Sequence, residues 1–425
     1  MRFRRRMLAV VAAVLCVSTS AAAQELPSPL DRDAVIALAI ERNPTIHAAH
    51  DRARAADRRA DADGTLPSPE LDLQVWQLPF SNQQGMVMAG VQQRFPALGS
   101  ALGQRAAAGH AEARAIELGS SDAERAVRRR AAHAFTDYFE ASARVELHAA
   151  HIELGKRILA AAQARAQAGG PLTDAAQAEV ELATMVVEHQ EARVRRQGAR
   201  AEIDALLLRP ADAPIPDPAT PAPVAPAWGI AQIVEEASKR RPEVAIARAE
   251  ADADEARRIA AKREWLVPSV SLGALYFAPV GMTDQHGVGF SASIELPWLW
   301  GEKKARSDAA RFDASASLTR FEGSRVQVAA EIASAYRDAA AAALRVRSYD
   351  EQVLPASRKA LDVALAGYTT ARTDLPTLLL ASRAVVDSEL ARVVAAAALE
   401  HALAELDGTA GFPIPRKPLS QWSPP

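Results

Sequence analysis

The chain has 425 residues and a formal net charge of −2. Because a nucleic-acid-binding protein needs a basic surplus to neutralise phosphates, this charge argues against a nucleic-acid partner. Of the residues, 49% are hydrophobic, but only 5% are aromatic and alanine makes up much of the rest. The composition favours long, closely packed helices over a large globular core, and it excludes a disordered chain.

Residues 1–23 have the pattern of a secretory signal peptide. A basic start (residues 2–6) precedes an apolar run (residues 7–17) and three alanines before Gln24. Removal of this segment would take away four arginines and Cys16, the only cysteine, so the mature chain would hold no disulfide or thiolate site. Because Leu15 is not the small residue that usually precedes a lipidated cysteine, lipidation is not expected. We expect an exported protein.

The remaining sequence contains an internal repeat at a spacing of about 200 residues, which must be recognised before the fold is assigned. Four landmarks recur in the same order: Asn43-Pro44 and Arg241-Pro242, residues 66–73 and 265–272, Arg94-Phe95-Pro96 and Glu295-Leu296-Pro297, and Thr173-Asp174 and Thr373-Asp374. We assign residues 24–208 to the first repeat and residues 229–411 to the second. Residues 209–228 form a proline-rich linker that we expect to be extended, and residues 412–425 form a C-terminal tail.

Helical periodicity follows the same plan in both repeats. The predicted helices cover residues 32–62, 101–168 and 172–208 in the first repeat, and residues 230–264, 302–371 (interrupted at Pro355) and 374–407 in the second. In each repeat the summed length of the two shorter helices matches the length of the long helix. At 1.5 Å per residue, the long helix extends about 100 Å. This arithmetic predicts a long, two-layered tube of antiparallel helices. Asp174 and Asp374 stand at helix starts, where a carboxylate can accept from free N–H groups.

Four segments have strand patterns instead, at residues 71–75, 86–95, 270–276 and 288–296. In the last of them Val288, Phe290 and their even-numbered neighbours are apolar, while Gly289, Ser291 and the odd-numbered positions favour water. Loops at residues 79–85 and 279–287 connect the strands within each pair. Aromatic residues lie near the strand ends, as in the girdles of membrane strands: Trp76, Phe80, Tyr276, Phe277, Trp298 and Trp300.

The strands allow two interpretations. One is a small soluble sheet packed on helices. The other is a membrane sheet, since no later stretch reaches the roughly 18 apolar residues of a membrane-spanning helix and only β-strands would then cross. Four strands leave two open edges, which lipid does not tolerate, and known barrels begin at about eight strands. Three chains would supply twelve strands, so a trimer that shares one barrel is a simple closure.

These features together resemble the TolC-type outer-membrane efflux family over nearly all of the mature chain. The resemblance rests on the duplicated helix ends at Asn43-Pro44 and Arg241-Pro242, the sequence FPALG at residues 95–99, LPWLWG at residues 296–301, and the turn at residues 169–174. It implies a mainly α-helical tunnel that continues into a small membrane β-barrel, with four strands per chain and twelve in the homotrimer. It also implies location in outer-membrane lipid, with a long periplasmic extension.

The resemblance further implies partners and a mechanism. The tunnel would dock with a periplasmic adaptor (membrane fusion protein) and an inner-membrane pump, which we expect to be of the RND type. Residues 67–71 and 88–96 are most similar to the heavy-metal efflux branch. The predicted function is a duct that exports small toxic solutes, including copper, silver, zinc, cobalt or cadmium cations. The alternatives are multidrug efflux and type I protein secretion, and, in another class, a periplasmic structural coiled coil.

Two groups of site residues follow. The adaptor-docking tip comprises Gly169, Gly170, Pro171, Leu172, Thr173, Ala371, Arg372 and Thr373; without the resemblance these would be ordinary hairpin turns. The candidates for the periplasmic gate are Asp174, Gln177, Asp374 and Thr377. This chain departs from its family by Ala371, where glycine is usual, and by Leu379 and Leu380, where gate-facing positions are usually polar.

Enzyme chemistry is not indicated. There is no phosphate-binding loop, nucleophile elbow or zinc-binding helix motif, and acidic pairs such as Asp61 with Asp63 fit a solvated helix face. His47 with His50, and His148 with His151, have the i, i+3 spacing of a chelating pair, and Glu153 lies near the second. Without a convincing third ligand, solvated histidines explain both pairs better. We expect no catalytic residue, no metal site and no cofactor.

Overall fold

The computed structural model describes residues 26–76, 85–280 and 286–423. The predicted signal peptide with Cys16, the interior of the loop at residues 79–85, Phe80, most of the second loop and the last two residues lie outside the described part.

The described part is mainly helical, as predicted. Its helices are α1 (Arg32–Arg42), α2 (Pro44–Asp63), α3 (Leu102–Gln167), α4 (Leu172–Leu206), α5 (Ile230–Arg240), α6 (Pro242–Leu266), α7 (Glu302–Ser348), α8 (Leu354–Thr369) and α9 (Leu375–Ala410). Its strands are β1 (Glu70–Trp76), β2 (Gly85–Phe95), β3 (Val224–Pro226), β4 (Ser269–Val280), β5 (Gly287–Glu295) and β6 (Arg416–Pro418).

The helices predicted over residues 32–62 and 230–264 are each broken once, which corrects the prediction. Asn43 and Arg241 have extended backbone conformations, with ψ of 117° and 119°, and a proline begins the next helix after each of them. A proline disfavours the helical conformation of the residue before it but suits the first helical turn. Asn43 also caps α2, because its Oδ1 accepts from the Thr45 N–H at 2.9 Å.

The interruption predicted at Pro355 is milder than a break. A π-helical turn, Tyr349–Val353, joins α7 to α8, and the backbone at the junction keeps right-handed helical angles. Pro355 has no N–H to donate to the preceding turn, and a π-helical insertion absorbs such a lost bond without ending the helix.

The chain divides into two compact units. The first comprises residues 26–42, 134–221 and 358–393. Its core, which we call the hairpin core, consists of Leu154, Ile158, Ala162, Ala178, Ala364, Tyr368, Leu375 and Leu378. Part of the proline-rich linker packs on this unit: the Leu30 N–H donates to the Asp217 carbonyl at 2.9 Å, and the Tyr138 hydroxyl donates to the Pro216 carbonyl at 3.0 Å. These hydrogen bonds hold this part of the linker against the first unit.

The second unit comprises residues 43–76, 85–133, 222–280, 286–357 and 394–423. Its core is formed by α5, α7, α9 and the C-terminal tail, in which Ile414, Leu419 and Trp422 are buried. The tail is held by β6, which pairs antiparallel with β3 of the linker. The C-terminal tail is thus part of a core.

The larger sheet of the second unit is antiparallel throughout, in the order β1-β2-β4-β5. Residues opposite each other in an antiparallel pair share a face. One row across all four strands is apolar: Leu73, Ala89, Tyr276 and Val288. A row on the other face is polar or small: Glu70, Gln92, Gly273 and Ser291. The predicted alternation is confirmed, and the sheet has one apolar and one polar face.

The apolar face is exposed in the single chain. Phe290 is 87% exposed, and Leu71, Leu73, Val75, Tyr276, Val288 and Ile294 are also exposed. The opposite face carries an ion pair near the ends of β2 and β5, where the Arg94 guanidinium lies 2.9 Å from the Glu295 carboxylate. Among the described residues, no helix combines the length and the hydropathy that crossing a membrane requires.

Candidate functional site

The predicted docking tip consists of two helical hairpins in the first unit. In the α3–α4 hairpin, Gly169 has a φ of 93° and the Gly170 N–H donates to the Arg165 carbonyl at 2.9 Å. This left-handed residue, followed by a six-residue hydrogen-bonded loop, is the common way to end a helix. It satisfies helix carbonyls that would otherwise lack a donor.

The α8–α9 hairpin repeats this geometry about 200 residues later. Ala371 has a φ of 57°, and the Arg372 N–H donates to the Gly367 carbonyl at 2.8 Å. The departure from glycine noted in the sequence therefore falls on a left-handed residue, where a Cβ is unfavourable. At Gly367 the Thr373 side chain occupies the position that a Cβ would take, so only glycine fits without a shift.

Most of the predicted docking residues are exposed. Leu172 is 79% exposed, which is unusual for a leucine, and Gly169, Pro171, Thr173, Ala371 and Arg372 are exposed as well. Gly170 and Thr373 are half-buried. The structure therefore brings the eight residues into two adjacent turns, most of which can contact another molecule.

Two residues that the sequence analysis did not single out link the hairpins. The Arg165 Nη1 donates to the Thr373 carbonyl at 3.0 Å, and its guanidinium lies 4.7 Å from the centre of the Tyr368 ring. The Tyr368 hydroxyl donates to the Asp174 Oδ2 at 2.9 Å. We call Arg165, Tyr368, Asp174 and Thr373 the hairpin link. Tyr368 could have been noticed, since the chain has only five tyrosines and this one ends a helix.

The hairpin link is stable to ordinary changes of pH. Tyr368 is 1% exposed, and burial, reinforced by the hydrogen bond to Asp174, raises the pKa of its phenol to about 12. A tyrosine with a raised pKa stays protonated, and remains a donor, until the pH rises through that value. The link is therefore intact at physiological pH.

The four gate candidates have different roles. Asp374 caps α9, because its Oδ1 accepts from the Thr377 N–H at 3.1 Å, and hydrogen bonds from Thr377 lower the pKa of its carboxyl. Asp174 is half-buried and bound to Tyr368, so the expectation that it caps α4 is wrong; Pro171 holds the cap position there. Gln177 and Thr377 are exposed.

The two departures near the gate also differ in environment. Leu379 packs against the hairpin core, whereas Leu380 is exposed. Leu379 is therefore accounted for by packing within one chain. Leu380 is not, and it remains a candidate to contact another molecule.

The two histidine pairs differ, although their spacing is identical. His47 and His50 are exposed, as predicted, but His148 is 7% exposed and His151 3% exposed, so the solvated interpretation is wrong for the second pair. In the described ranges, no three histidine, cysteine or acidic side chains are arranged to hold a metal ion. Burial, not spacing, separates these two pairs.

Comparisons with known proteins cover most of the chain. Residues 233–411, most of the predicted second repeat, match the family model described as outer membrane efflux protein. No curated protein sequence matched the chain. The fold is similar to that of the outer-membrane channel OprN (21% identity, 89% of each chain, TM-score 0.73) and of the outer membrane protein VceC from Vibrio cholerae (18% identity, 90% of this chain and 96% of that one, TM-score 0.73). It is also similar to that of CusC, whose described crystal structures concern transmembrane channel formation (17% identity, 90% and 92%, TM-score 0.76).

The sequence match and the structural matches agree. The matched family consists of efflux proteins, and the matched structures are channels. Neither group consists of enzymes, which confirms the prediction that this protein is not an enzyme. The comparisons agree with the predicted family: residues 233–411 match the outer membrane efflux protein family, and the described chain has the fold of outer-membrane channels.

Proposed function

We propose that this protein is the outer-membrane duct of a tripartite efflux system and exports small toxic solutes from the cell. The observation that carries the proposal is the four-stranded sheet, with its exposed apolar face, its polar opposite face and its two unpaired edges, β1 and β5. An exposed apolar surface of this extent is unfavourable in water. It suits lipid, provided that the edges are paired.

A homotrimer provides that pairing. Three copies of the sheet supply twelve strands, above the minimum of about eight for a closed barrel, if β5 of each copy pairs with β1 of the next. The helices favour the same assembly. On α4, Val180, Val187 and Val194 are exposed at intervals of seven residues, the repeat by which neighbouring helices pack side by side. A second copy of this chain would cover the exposed valines of α4 as well as the open edge of the sheet.

The helical hairpins supply the gate and the docking surface of the proposed duct. The hairpin link joins the α3–α4 and α8–α9 hairpins within one chain, so its loss would free them to move apart. Asp174, Gln177, Asp374 and Thr377 are proposed to lie at the constriction. The exposed turns around Leu172 and Arg372 are proposed to dock with a periplasmic adaptor.

The energy for export is proposed to come from an inner-membrane pump of the RND type, reached through the adaptor. For the substrate we propose heavy-metal cations, because residues 67–71 and 88–96 resemble the heavy-metal efflux branch. A duct need not bind such a cation tightly, and the absence of a three-ligand cluster in the described residues is compatible with passage.

The first test is growth of a strain that lacks this gene in the presence of copper, silver, zinc, cobalt or cadmium, beside dyes, detergents and antibiotics. Sensitivity confined to metals supports the full proposal. Sensitivity to organic compounds alone supports a duct but refutes the metal substrate. Wild-type resistance to every compound, together with release of the protein by osmotic shock, would refute the duct and favour a periplasmic coiled coil.

The docking surface has its own test. Leu172→Trp and Arg372→Trp should each reduce crosslinking to the adaptor and reduce efflux. Lys359→Trp, on an exposed position of α8 about ten residues from the turn, is the matched control and should leave both unchanged. Unaltered crosslinking in all three variants would contradict docking at the turns.

A further inference from the structure

Three histidines converge in the first unit, away from the turns. His148 and His151 lie one turn apart on α3, with their ring centres 5.9 Å apart and their planes nearly perpendicular. His189, half-buried on α4, is close enough to act on the charge of His148. We call these three residues the histidine cluster. The proposed function has no role for it.

The histidine cluster is built for uncharged rings. The Nδ1 atoms of all three side chains are buried without a hydrogen-bond partner. A protonated imidazole carries two N–H donors, and a buried donor without an acceptor is costly. His151 has one good partner, the Glu389 carboxylate, to which its Nε2 donates at 3.0 Å. His148 has only the Glu188 carboxylate at 3.6 Å, which is too long for a hydrogen bond.

The surrounding charges oppose protonation of His148. Burial lowers the pKa of its imidazole; His151 and His189, when protonated, lower it further, as do Arg144 and Arg195. The nearby carboxylates are largely engaged by arginines: Arg358 binds Glu389 at 2.7 Å, and Arg383 binds Glu181 at 2.9 and 2.5 Å. The remaining acidic side chains near Glu188 are Asp387 and Glu191.

Glu188 acts in the direction opposite to His148. Burial raises the pKa of its carboxyl, and the neighbouring Glu181, Asp387 and Glu191 raise it further, while His151 acts the other way. A carboxyl with a raised pKa favours the packed state at low pH, so its contribution opposes that of the histidine.

The direction of the pH effect follows from linkage. A histidine whose pKa is lowered in the packed state binds more protons once the helices separate. The contribution of such a histidine to the stability of the packed state is greatest above its ordinary pKa of about 6.5. This contribution decreases as the pH falls below that value. For each excluded proton, each pH unit changes the ratio of loosened to packed molecules by up to about tenfold.

The position of the histidine cluster connects it to the hairpins. His151 lies three residues, about one helical turn, before Leu154, a member of the hairpin core. Tyr368 of the hairpin link belongs to the same core. Glu389 of α9 and Arg358 of α8 join the cluster to the second hairpin through the His151 hydrogen bond. Loosening at the cluster therefore acts on both hairpins.

We propose that the histidine cluster is an acid-sensitive switch, in which protonation between pH 7.5 and 5.5 loosens α3 from α4 and α9 and eases separation of the hairpins. The consequence for transport rests on the proposed function. The loosening itself does not, and it is measured without any channel activity.

The test is hydrogen–deuterium exchange of the full-length protein in detergent, at pH 7.5 and 5.5 with a metal chelator, after correction for the intrinsic pH dependence of exchange. In the wild type, amides of residues 144–160 should exchange about tenfold faster at pH 5.5, as expected for one excluded proton over the pH unit below 6.5. His148→Gln with His189→Gln should remove most of this increase. His47→Gln with His50→Gln, an exposed pair of the same spacing, should retain it.

Either of two results would overturn the switch: exchange in the wild type that does not change with pH, or a change that persists in the double variant of His148 and His189. If that variant does not fold, His148→Asn alone is compared in the same way. Single-channel recordings at the two pH values then separate the proposals. Faster exchange without any conductance at either pH would refute the duct and leave the switch standing.

Discussion

Replacing Tyr368 with phenylalanine removes one hydroxyl from the hairpin link and little else. The ring is buried in the hairpin core, and the Arg165 guanidinium also contacts the face of the ring, a contact that phenylalanine retains. What is lost is the 2.9 Å hydrogen bond to the Asp174 carboxylate. The substitution therefore tests the link without opening a large cavity.

The free energy lost with this hydrogen bond follows from the charge of its acceptor, the Asp174 carboxylate. A hydrogen bond to a charged group contributes about 1.5–3 kcal/mol. Asp174 is only half-buried, so water recovers part of this, and we expect a loss of about 1–2 kcal/mol. If the bond exists only while the hairpins are together, the ratio of open to closed channels should rise by about 5- to 30-fold.

Single-channel recording in planar bilayers, with thermal unfolding in parallel, measures both quantities. Tyr349→Phe is the matched control, because Tyr349 packs against the core of the second unit and is not a member of the hairpin link. Since the pKa of the Tyr368 phenol is about 12, the difference between the two variants should not vary from pH 6 to 9. An open probability equal in both variants would refute the role of the hairpin link. So would full additivity of Tyr368→Phe with Asp174→Ala, because partners in one bond must couple.

Three further predictions concern stability and insertion. Ala371→Gly should raise the free energy of unfolding by about 1 kcal/mol, because φ is 57° there, and a lower melting temperature would contradict the strain. Phe290→Arg on the exposed apolar face should cost about 2–4 kcal/mol in lipid and reduce the heat-modifiable trimer on gels, whereas Ser293→Arg on the polar face should not; equal trimer in both would count against a lipid-facing surface. Trp422→Ala should cost about 3–5 kcal/mol in denaturant unfolding, since this tail residue is buried, and a loss below 1 kcal/mol would mean that the tail is not part of the core.

Local chemistry was sufficient to predict most of the helices, the four strands of the larger sheet and the two hairpin turns. Gly169 marks a helix end, Asp374 marks a helix start, and the alternation from Val288 to Ile294 marks a two-faced strand, because each depends on the backbone preferences or side-chain direction of neighbouring residues. The repeat then ordered these elements and indicated the family. The same reasoning missed the breaks at Asn43 and Arg241 only because periodic apolar positions continued across them.

Contacts between distant residues were decided by the tertiary structure alone. His47 with His50 and His148 with His151 have the same spacing and similar alanine-rich surroundings, yet the first pair is exposed and the second is buried. Alanine occurs on every face of these helices, so the sequence does not indicate which face is covered. For the same reason Asp174 could be placed at a helix start but not matched with Tyr368, 194 residues away. The sequence determined the elements and their order, and packing between helices decided which polar groups are buried and which partners they meet.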